Sequence, residues 1–429
     1  MRIAVIFDLD GTLTRSEEGI WNCARHTCRV MGLPEPDADT LRQMIGPPLM
    51  RSFVTLMGMT EEKAKEALVV YRERFNRVGY LENRVYPGIR RLLRTLKKQG
   101  AWCAIATGKP QRPSERIAAH FGLDAFLDRI VGTTDDLSAD KEQLIRAALP
   151  EDAASYDALW MVGDRCYDIE GGLRAGVRTL GALWGYDSRE ELQKAGAEVL
   201  AGTPQEAIDL LCPGVQPPCG QFVSMEGLDG SGKGTQLERL AEALDRFGFE
   251  VVRSREPGGG PISERIRELI LSRENTGMTA ECEALLYAAS RAQHVRDTIR
   301  PVIESGKLLL CDRFVDSSIA YQGGGRGLGV QEVMDINRPA VDGLMPLVTV
   351  YLDIGHLEAL GRRYQASEPD RLEMEPEAFH ARVEAAYKEL IARDPERFAV
   401  VDARGVREAI AAEVAEKVLK RLMEAERIS

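Results

Sequence analysis

Residues 226–235 read EGLDGSGKGT, a glycine-rich stretch that follows an apolar run and precedes a helical pattern. Glycines at this spacing let successive backbone N–H groups surround a phosphate, and the lysine reaches its outer oxygens. Such a loop normally follows the first strand of a parallel α/β domain. The stretch therefore predicts that a domain starts here, past the middle of a chain of 429 residues.

The whole chain alternates short apolar runs with longer helical patterns, which predicts doubly wound α/β folds. The segment LLCPGVQPPCG at 210–220 separates two such series, and its prolines fix φ and remove backbone donors. We expect domains at 1–212 and 220–429 joined by a linker at 213–219; a surface loop within one domain is the alternative. The predicted strands are RIAVIF (2–7), AWCAIAT (101–107), RIVG (129–132), LWMVGD (159–164), QFVSME (221–226), EVVRSRE (250–256), KLLLCD (307–312) and LVTVYLD (347–353).

Composition narrows the class of protein further. A hydrophobic content of 44% and a charged content of 29% are typical of globular proteins, and the net charge of −11 argues against a broad nucleic-acid surface. The eight cysteines form no CxxC pair, and the five histidines show no metal-ligand spacing. No apolar run reaches the ~18 residues of a membrane span. We expect a cytoplasmic enzyme with reduced thiols and neither a nucleic-acid nor a membrane partner.

In the first half, FDLDGT places Asp8 and Asp10 at the carboxyl end of the first predicted strand, where open parallel sheets bind ligands. Two carboxylates so close repel each other unless a cation or a proton intervenes, which indicates a Mg²⁺ site with one carboxylate free to act as a nucleophile. Three further signals follow in order: ATGKP with Thr107, SADKEQL with Lys141, and MVGDRCYDIEGG with Asp164 and Asp168.

Together these signals resemble the phosphatases of the haloacid dehalogenase superfamily, with phosphoglycolate-phosphatase-like and 5′-nucleotidase-like members nearest, over residues 1–210. The resemblance implies a Rossmann-like fold in which Asp8 forms an aspartyl-phosphate and Asp10 is the general acid and base. It implies that Thr107 binds the phosphoryl oxygens and that Lys141 balances their charge. The implied Mg²⁺ ligands are Asp8, Asp10, Asp164 and Asp168, with Asp168 either a ligand through water or a partner of Lys141.

The helical stretch at about 15–85 would be the helical cap of this fold, which selects the substrate. It contains GPPLMRSF at 46–53, so Arg51 is a candidate substrate contact. A solvated helix arginine is the alternative interpretation of Arg51.

In the second half, Gly234 follows Lys233, so the loop has the G-K-x-[ST] form of nucleoside and nucleotide kinases. Four signals follow: REPGG (255–259), LLYAASRAQH (285–294), DRFVDSSIAYQGGGRG (312–327) and PDRLE (369–373). With the loop they resemble thymidylate kinase over residues 220–429. The resemblance implies a P-loop nucleoside monophosphate kinase fold. The implied ATP-binding residues are Gly227, Gly230, Ser231, Gly232, Lys233, Gly234 and Thr235, with Thr235 also at Mg²⁺.

The same resemblance assigns the dTMP site. Arg255 and Arg313 would hold the acceptor phosphate, and Asp229 would bind the 3′-hydroxyl. Tyr287 stands where the family usually has a phenylalanine stacked on thymine, with core packing as the alternative. The remaining implied contacts are Arg291 at the thymine edge and Ser318, Tyr321 and Gln322 around the base and deoxyribose, where Tyr321 would exclude a ribose 2′-hydroxyl.

The lid would be GRRYQASEPDRLE at 361–373. Because the phosphate loop has no arginine, the resemblance to bacterial-type members implies that Arg362, Arg363 and Arg371 supply cations to the transferred phosphoryl group. Solvated arginines are the alternative. Asp312 would organise Mg²⁺ through water.

We therefore expect a bifunctional enzyme that binds ATP, dTMP and an unknown phosphomonoester, requires Mg²⁺, and forms a homodimer through its kinase domain. Two alternatives remain. The first half could be a non-catalytic regulatory module, or the kinase could act on another deoxynucleoside monophosphate.

Overall fold

The computed structural model describes residues 2–46, 49–134, 140–364 and 370–428. The predictions that fall partly outside the described residues are GPPLMRSF at 47–48, SADKEQL at 138–139, and the lid and PDRLE motifs at 365–369.

Two compact units divide the chain. The first runs through Pro218 and includes Asp245–Phe249, and the second comprises Cys219–Leu244 and Glu250–Ile428. The cysteines at 23, 28, 103, 166, 212, 282 and 311 form no disulfide, and among the described residues no helix is both long and apolar enough to cross a bilayer.

The first unit is built on a parallel sheet of six strands in the order β5-β4-β1-β6-β7-β8. Its strands are β1 Ile3–Phe7, β2 Thr14–Arg15, β3 Arg84–Val85, β4 Trp102–Pro110, β5 Arg129–Thr133, β6 Ala158–Gly163, β7 Arg178–Ala182 and β8 Val199–Ala201, of which β2 and β3 form a separate antiparallel pair. Its helices are α1 Glu17–Val30, α2 Ala38–Gln43, α3 Leu49–Thr55, α4 Glu61–Arg74, α5 Ile89–Lys98, α6 Gln111–His120, α7 Lys141–Ala148, α8 Cys166–Ala175, α9 Arg189–Lys194 and α10 Pro204–Leu211.

The central strand β1 consists of IAVIF, and every one of its residues is buried because helices cover both faces of the sheet. Phe7, the last residue of β1, pairs with Ile105 of β4 and with Val162 of β6. The pairing of β2 with β3 brings together the two ends of the insertion that contains α1–α4. The chemistry at the carboxyl edge of the sheet therefore lies beside this helical insertion.

The second unit has a five-stranded parallel sheet in the order β10-β11-β9-β12-β13. Its strands are β9 Phe222–Gly227, β10 Val251–Arg255, β11 Leu308–Asp312, β12 Val348–Asp353 and β13 Phe398–Asp402. Its helices are α11 Lys233–Arg246, α12 Pro261–Leu271, α13 Ala280–His294, α14 Arg300–Glu304, α15 Val315–Ser318, α16 Val330–Val341, α17 His356–Tyr364, α18 Glu377–Arg393 and α19 Arg407–Ile428.

The predicted fold class is confirmed: each unit is a doubly wound α/β fold. All eight predicted strands are present to within a few residues at each end. Further short strands were not predicted, among them β8 and β13 at sheet edges.

Candidate active sites

The first site is a group of buried acids at the carboxyl edge of the first sheet. Carboxylate oxygens of Asp8, Asp164 and Asp168 lie within 4.8 Å of one another. Lys141, at the start of α7, lies 2.6 Å from Asp8 and 2.5 Å from Asp168. Asp164 accepts hydrogen bonds from the Thr12 hydroxyl at 2.8 Å and from the Tyr186 backbone N–H at 3.0 Å. Lys141 is thus the one cation paired with these three carboxylates among the described residues.

Burial and the neighbouring negative charges raise the pKa values of Asp8 and Asp164. Burial, the largest effect, raises the pKa of Asp8 to about 7 although Lys141 opposes the shift. Burial and the neighbouring Asp168 and Asp8 also raise the pKa of Asp164 well above its usual range. Burial disfavours the charged form of Lys141, but Asp168 and Asp8 outweigh it and raise its pKa. A buried, all-oxygen group short of positive charge fits a hard divalent cation such as Mg²⁺.

Asp10 is held separately from that group. Its Oδ2 lies 3.0 Å from the Lys109 ammonium, and its Oδ1 is buried without a hydrogen-bond partner among the described residues. Lys109 in turn donates its backbone N–H to the Thr107 hydroxyl at 3.2 Å. Sequence reasoning missed Lys109, although the signal was present in ATGKP, two residues after the predicted threonine.

These groups line a cavity of about 510 Å³ together with the cap. Asp8, Asp10, Thr107, Lys109 and Lys141 form its polar side. The cap and the rest of the unit contribute residues that include Ile20, Met44, Leu49, Met50, Arg51 and Tyr71. Arg51 lies at the cavity, as a substrate contact would, and it is also exposed, as a solvated helix arginine would be, so both interpretations stay open.

The second site begins at the phosphate loop between β9 and α11. Gly230 and Gly232 both have φ near +89°, a conformation that L side chains rarely adopt. The Lys233 ammonium donates to the carbonyls of Gly227 and Leu228 at 3.0 Å each, and burial lowers its pKa. The hydroxyl of Ser231 is buried without a partner among the described residues. Gly227 also has a positive φ, whereas Gly234 and Thr235 are exposed at the start of α11.

Asp229 of this loop forms an ion pair with Arg313 and accepts a hydrogen bond from the Tyr321 hydroxyl at 2.8 Å. Burial opposes its ionisation, but Arg313 and Lys233 hold the pKa of Asp229 well below its usual range. The backbone of Arg313 is left-handed, with φ at 69°, and its backbone N–H donates to the carbonyl of Met225 at 2.9 Å. Three predicted residues are thus brought together with Lys233.

A cavity of about 290 Å³ opens beside them. The predicted residues that line it are Asp229, Lys233, Arg255, Tyr287, Arg291, Arg313, Tyr321 and Gln322, with Asp312. The Oδ1 atom of Asp312 is buried without a partner among the described residues, as expected for a group that would organise a cation. Arg255 pairs with Glu264 at 3.1 Å.

Arg291 is almost fully buried, and each of its N–H groups has a protein partner. These partners are Glu256 at 2.7 Å from both Nε and Nη2, Ser318 at 3.1 Å, Asn337, and the Phe314 carbonyl at 3.1 Å. Contact with the edge of a base would require an exchange of one of these partners. Ser318, which accepts from Arg291, is buried behind it.

The predicted lid arginines do not line this cavity in the described part of the chain. Arg362 contacts Glu358 at 2.7 Å, and Arg363 pairs with Glu373 at 2.5 Å. Arg371 is buried and pairs with Glu283 at 2.6 Å. Their predicted role thus requires a rearrangement, and it stays a prediction.

Sequence reasoning also missed Glu226, the last acid of β9. Its carboxylate accepts from the Phe314 backbone N–H at 2.7 Å, the Ser317 hydroxyl at 2.5 Å and the Tyr387 hydroxyl at 2.8 Å. Burial, and then the nearby Asp316, raise the pKa of Glu226 to about 7. No short motif signals this network, because its members come from β9, α15 and α18.

Comparison with known proteins agrees with the division into units. The family model described as Thymidylate kinase matches residues 225–414, and the one described as Haloacid dehalogenase-like hydrolase matches residues 5–182. A thymidylate kinase of Bacillus pumilus is 50% identical over 186 residues, which are 43% of this chain and 88% of the relative. Another, of Geobacillus thermodenitrificans, is 48% identical over 205 residues, covering 47% of this chain and 91% of the relative.

Two solved structures are also similar to about half of the chain. A crystal structure titled as a predicted phosphatase from Clostridium acetobutylicum is 36% identical, with a TM-score of 0.45. The match spans 49% of this chain and 97% of the phosphatase chain. A haloacid dehalogenase-like family hydrolase from Streptococcus pneumoniae is 29% identical at the same TM-score and covers 49% and 98%.

The folds and sites define a chain of two phosphate-handling α/β units, one with a buried acid group and one with a glycine-rich phosphate loop. The chain belongs to the thymidylate kinase family through its second unit, which is joined to a haloacid dehalogenase-like first unit.

Proposed function

We propose that residues 220–429 transfer the γ-phosphate of ATP to dTMP, giving dTDP and ADP. The observation that carries this proposal is the single cavity shared by Lys233, Asp229, Arg313 and the ring of Tyr287. It combines a donor-phosphate loop, an arginine for a second phosphate and an aromatic face for a base.

In this mechanism the loop N–H groups and Lys233 hold the ATP phosphates, so Lys233 exchanges its two carbonyl partners for phosphate oxygens. Arg313 orients the phosphate of dTMP, one oxygen of which attacks the γ-phosphorus as ADP leaves. Asp229 accepts a hydrogen bond from the 3′-hydroxyl. Mg²⁺, when bound with ATP, offsets phosphate charge, and Thr235 and Asp312 are the residues that would hold it.

We propose that residues 1–212, joined by 213–219, hydrolyse a phosphomonoester. Asp8 attacks phosphorus and forms an aspartyl-phosphate while Asp10 protonates the leaving alkoxide. Asp10 then takes a proton from the water that attacks this phosphorus, the bond between phosphorus and the Asp8 oxygen breaks, and inorganic phosphate leaves with the Asp8 carboxylate restored. Thr107 hydrogen-bonds the phosphoryl oxygens, and Lys141 balances their charge. Asp8, Asp164 and Asp168 would hold Mg²⁺, which would balance charge on the phosphoryl group. Asp10, which pairs with Lys109 outside that group, stays a predicted ligand.

The test uses the full-length chain. Wild-type protein should convert dTMP to dTDP with ATP and should hydrolyse at least one member of a broad phosphomonoester panel. Asp8→Asn should abolish the hydrolysis and leave dTDP formation unchanged, and Lys233→Met should do the reverse. If Asp8→Asn kept its hydrolysis, the phosphatase assignment would be refuted. If Lys233→Met kept its dTDP formation, the kinase assignment would be refuted.

Two alternatives have distinct outcomes. Absence of hydrolysis across the panel would make the first unit a regulatory module, and faster turnover of dUMP, dCMP or dGMP than of dTMP would reassign the kinase.

Because hydrolysis of dTMP would oppose the kinase, we propose a different ester as the phosphatase substrate. We also propose a homodimer through kinase helices, which sedimentation of the full chain tests.

A further inference from the structure

Glu283 is a carboxylate with no accessible surface, on helix α13. It lies four residues before Tyr287 and eight before Arg291, so the three side chains share one face of the helix. Tyr287 and Arg291 both line the proposed dTMP cavity, whereas Glu283 lies behind it. A fully buried acid needs several donors, and here they come from the neighbouring elements.

Both oxygens of Glu283 are engaged. Oε1 accepts from the Gln322 amide Nε2 at 3.0 Å and from Arg326 Nε at 3.2 Å. Oε2 accepts from Arg326 Nη2 at 3.0 Å and from Arg371 Nη2 at 2.6 Å. An ionised carboxylate only accepts, so the amide of Gln322 must turn its NH₂ group toward Glu283 and its carbonyl oxygen away.

The other end of that amide is unsatisfied. Gln322 lines the cavity, and its Oε1 is buried without a hydrogen-bond partner among the described residues. A buried acceptor without a donor is costly, and a ligand that donates there removes the cost. The pyrimidine of dTMP has a donor, N3–H, where cytosine has an acceptor.

We propose that Glu283 is a positioning residue of the kinase: it fixes the orientation of the Gln322 amide so that the pocket offers an acceptor, and thereby favours thymine over cytosine. This inference rests on the proposed dTMP kinase activity. It concerns base selection alone, because any effect of Glu283 through Arg371 on phosphoryl transfer would act on dTMP and dCMP alike.

The test is competition between dTMP and dCMP for ATP in one mixture with the full-length chain. The product ratio gives the ratio of kcat/KM values and does not depend on the folded fraction of a variant. Glu283→Gln offers both a donor and an acceptor to Gln322, so both amide orientations become accessible. We expect the preference for dTMP over dCMP to fall roughly 10- to 100-fold.

The preference for dTMP over dUMP, measured in the same way, should change less than about threefold, because both bases have N3–H. Glu375→Gln is the matched control: Glu375 pairs with Arg326 at 2.6 Å, and no hydrogen bond joins it to Gln322 among the described residues. Both ratios should therefore stay as in the wild type. In the double variant Glu283→Gln with Gln322→Glu, an acceptor-only side chain at 322 should restore the dTMP preference.

An unchanged dTMP-to-dCMP ratio in Glu283→Gln overturns the inference, as does a parallel fall in both ratios, which would mark general damage to the pocket. If Glu283→Gln does not fold, Glu283→Asp keeps the charge and withdraws the carboxylate by one methylene. A smaller fall in the same ratio is then expected, and no fall overturns the inference. Failure of wild-type protein to phosphorylate dTMP would instead refute the proposed function.

Discussion

The ammonium group of Lys109 lies 3.0 Å from the carboxylate of Asp10, and both line the cavity of the first unit. The ion pair fixes the acid that we propose to exchange protons with the leaving group and with water. Lys109 also lies 4.8 Å from the centre of the Phe75 ring in the cap, so both groups hold its ammonium in place.

Lys109→Met should therefore lower kcat for phosphomonoester hydrolysis roughly 10- to 100-fold, since correct placement of a general acid contributes this much or more. Lys97→Met is the control, because Lys97 pairs with Asp128 at 2.7 Å and does not line the cavity. Steady-state kinetics on whichever ester proves active would decide. Equal activity of the two variants would contradict a role for Lys109 at Asp10.

Divalent cations should stabilise the first unit. Mg²⁺ at about 100 times its Kd would add about 2.7 kcal/mol to the free energy of unfolding through binding to the native state alone. All four tryptophans, at positions 21, 102, 160 and 184, lie in this unit, so their fluorescence reports its melting. We expect Mg²⁺ to raise the melting temperature over EDTA.

Asp164→Asn should abolish most of that Mg²⁺-dependent rise, because it removes one of the three clustered carboxylates. Asp187→Asn should keep it, since Asp187 pairs with Arg165 and does not belong to the group. An unchanged rise in Asp164→Asn would mean that the cation binds elsewhere, and loss of the rise in both variants would mark general damage to the unit.

The second unit should lose stability as pH rises. Burial raises the pKa of Glu226 from its ordinary 4.5 to about 7, so the folded unit binds this proton more tightly than the unfolded chain does. The resulting stabilisation is complete below pH 4.5 and is lost as pH rises through 7. Its size is on the order of 3 kcal/mol.

Glu226→Gln mimics the protonated acid and should flatten this pH dependence, whereas Glu389→Gln, on an exposed pair with Arg393, should not. Peptide-resolved hydrogen exchange of β9 across pH 4.5 to 7, corrected for intrinsic rates, measures the effect. Identical slopes for wild type and Glu226→Gln would show that Glu226 is ionised throughout.

The hydroxyl of Tyr287 should be dispensable for dTMP. Tyr287→Phe keeps the ring face and should leave kcat/KM for dTMP within about threefold, while Tyr287→Leu removes the stacking surface and should lower it roughly 10- to 100-fold. Initial rates at varied dTMP would show the change in KM. A large loss in Tyr287→Phe would assign a direct role to the hydroxyl.

The sequence predicted the parts of the molecule that local pattern controls. Apolar runs located β1, which is hydrophobic throughout because both its faces are buried, and β9, which also contains the buried Ser224 and Glu226. Asp8 and Lys233 follow those strands at motif spacing. The functional roles of the site residues stay predictions. The edge strand β8, with three residues, has too little pattern to predict.

The sequence did not predict the surroundings of charged residues whose partners lie far away along the chain. In the sequence, Glu226 resembles an ordinary strand acid and Glu283 an ordinary helix acid. Only the packing of the fold surrounds them with hydrogen-bond donors from other elements. Arg371 was expected to supply a cation to the transferred phosphoryl group, and in this structure it pairs with Glu283. Local spacing fixes which residues are available but not which of two partners an arginine takes.

The left-handed backbone of Arg313 has a consequence for engineering. A non-glycine residue at φ 69° costs on the order of 1 kcal/mol, and glycine would relieve that cost. Glycine would, however, remove the guanidinium that pairs with the buried Asp229, and a buried charge left without its partner costs about 3–5 kcal/mol. The ion pair therefore outweighs the backbone cost, and a selection for heat resistance alone should keep arginine at position 313 even where turnover is not selected.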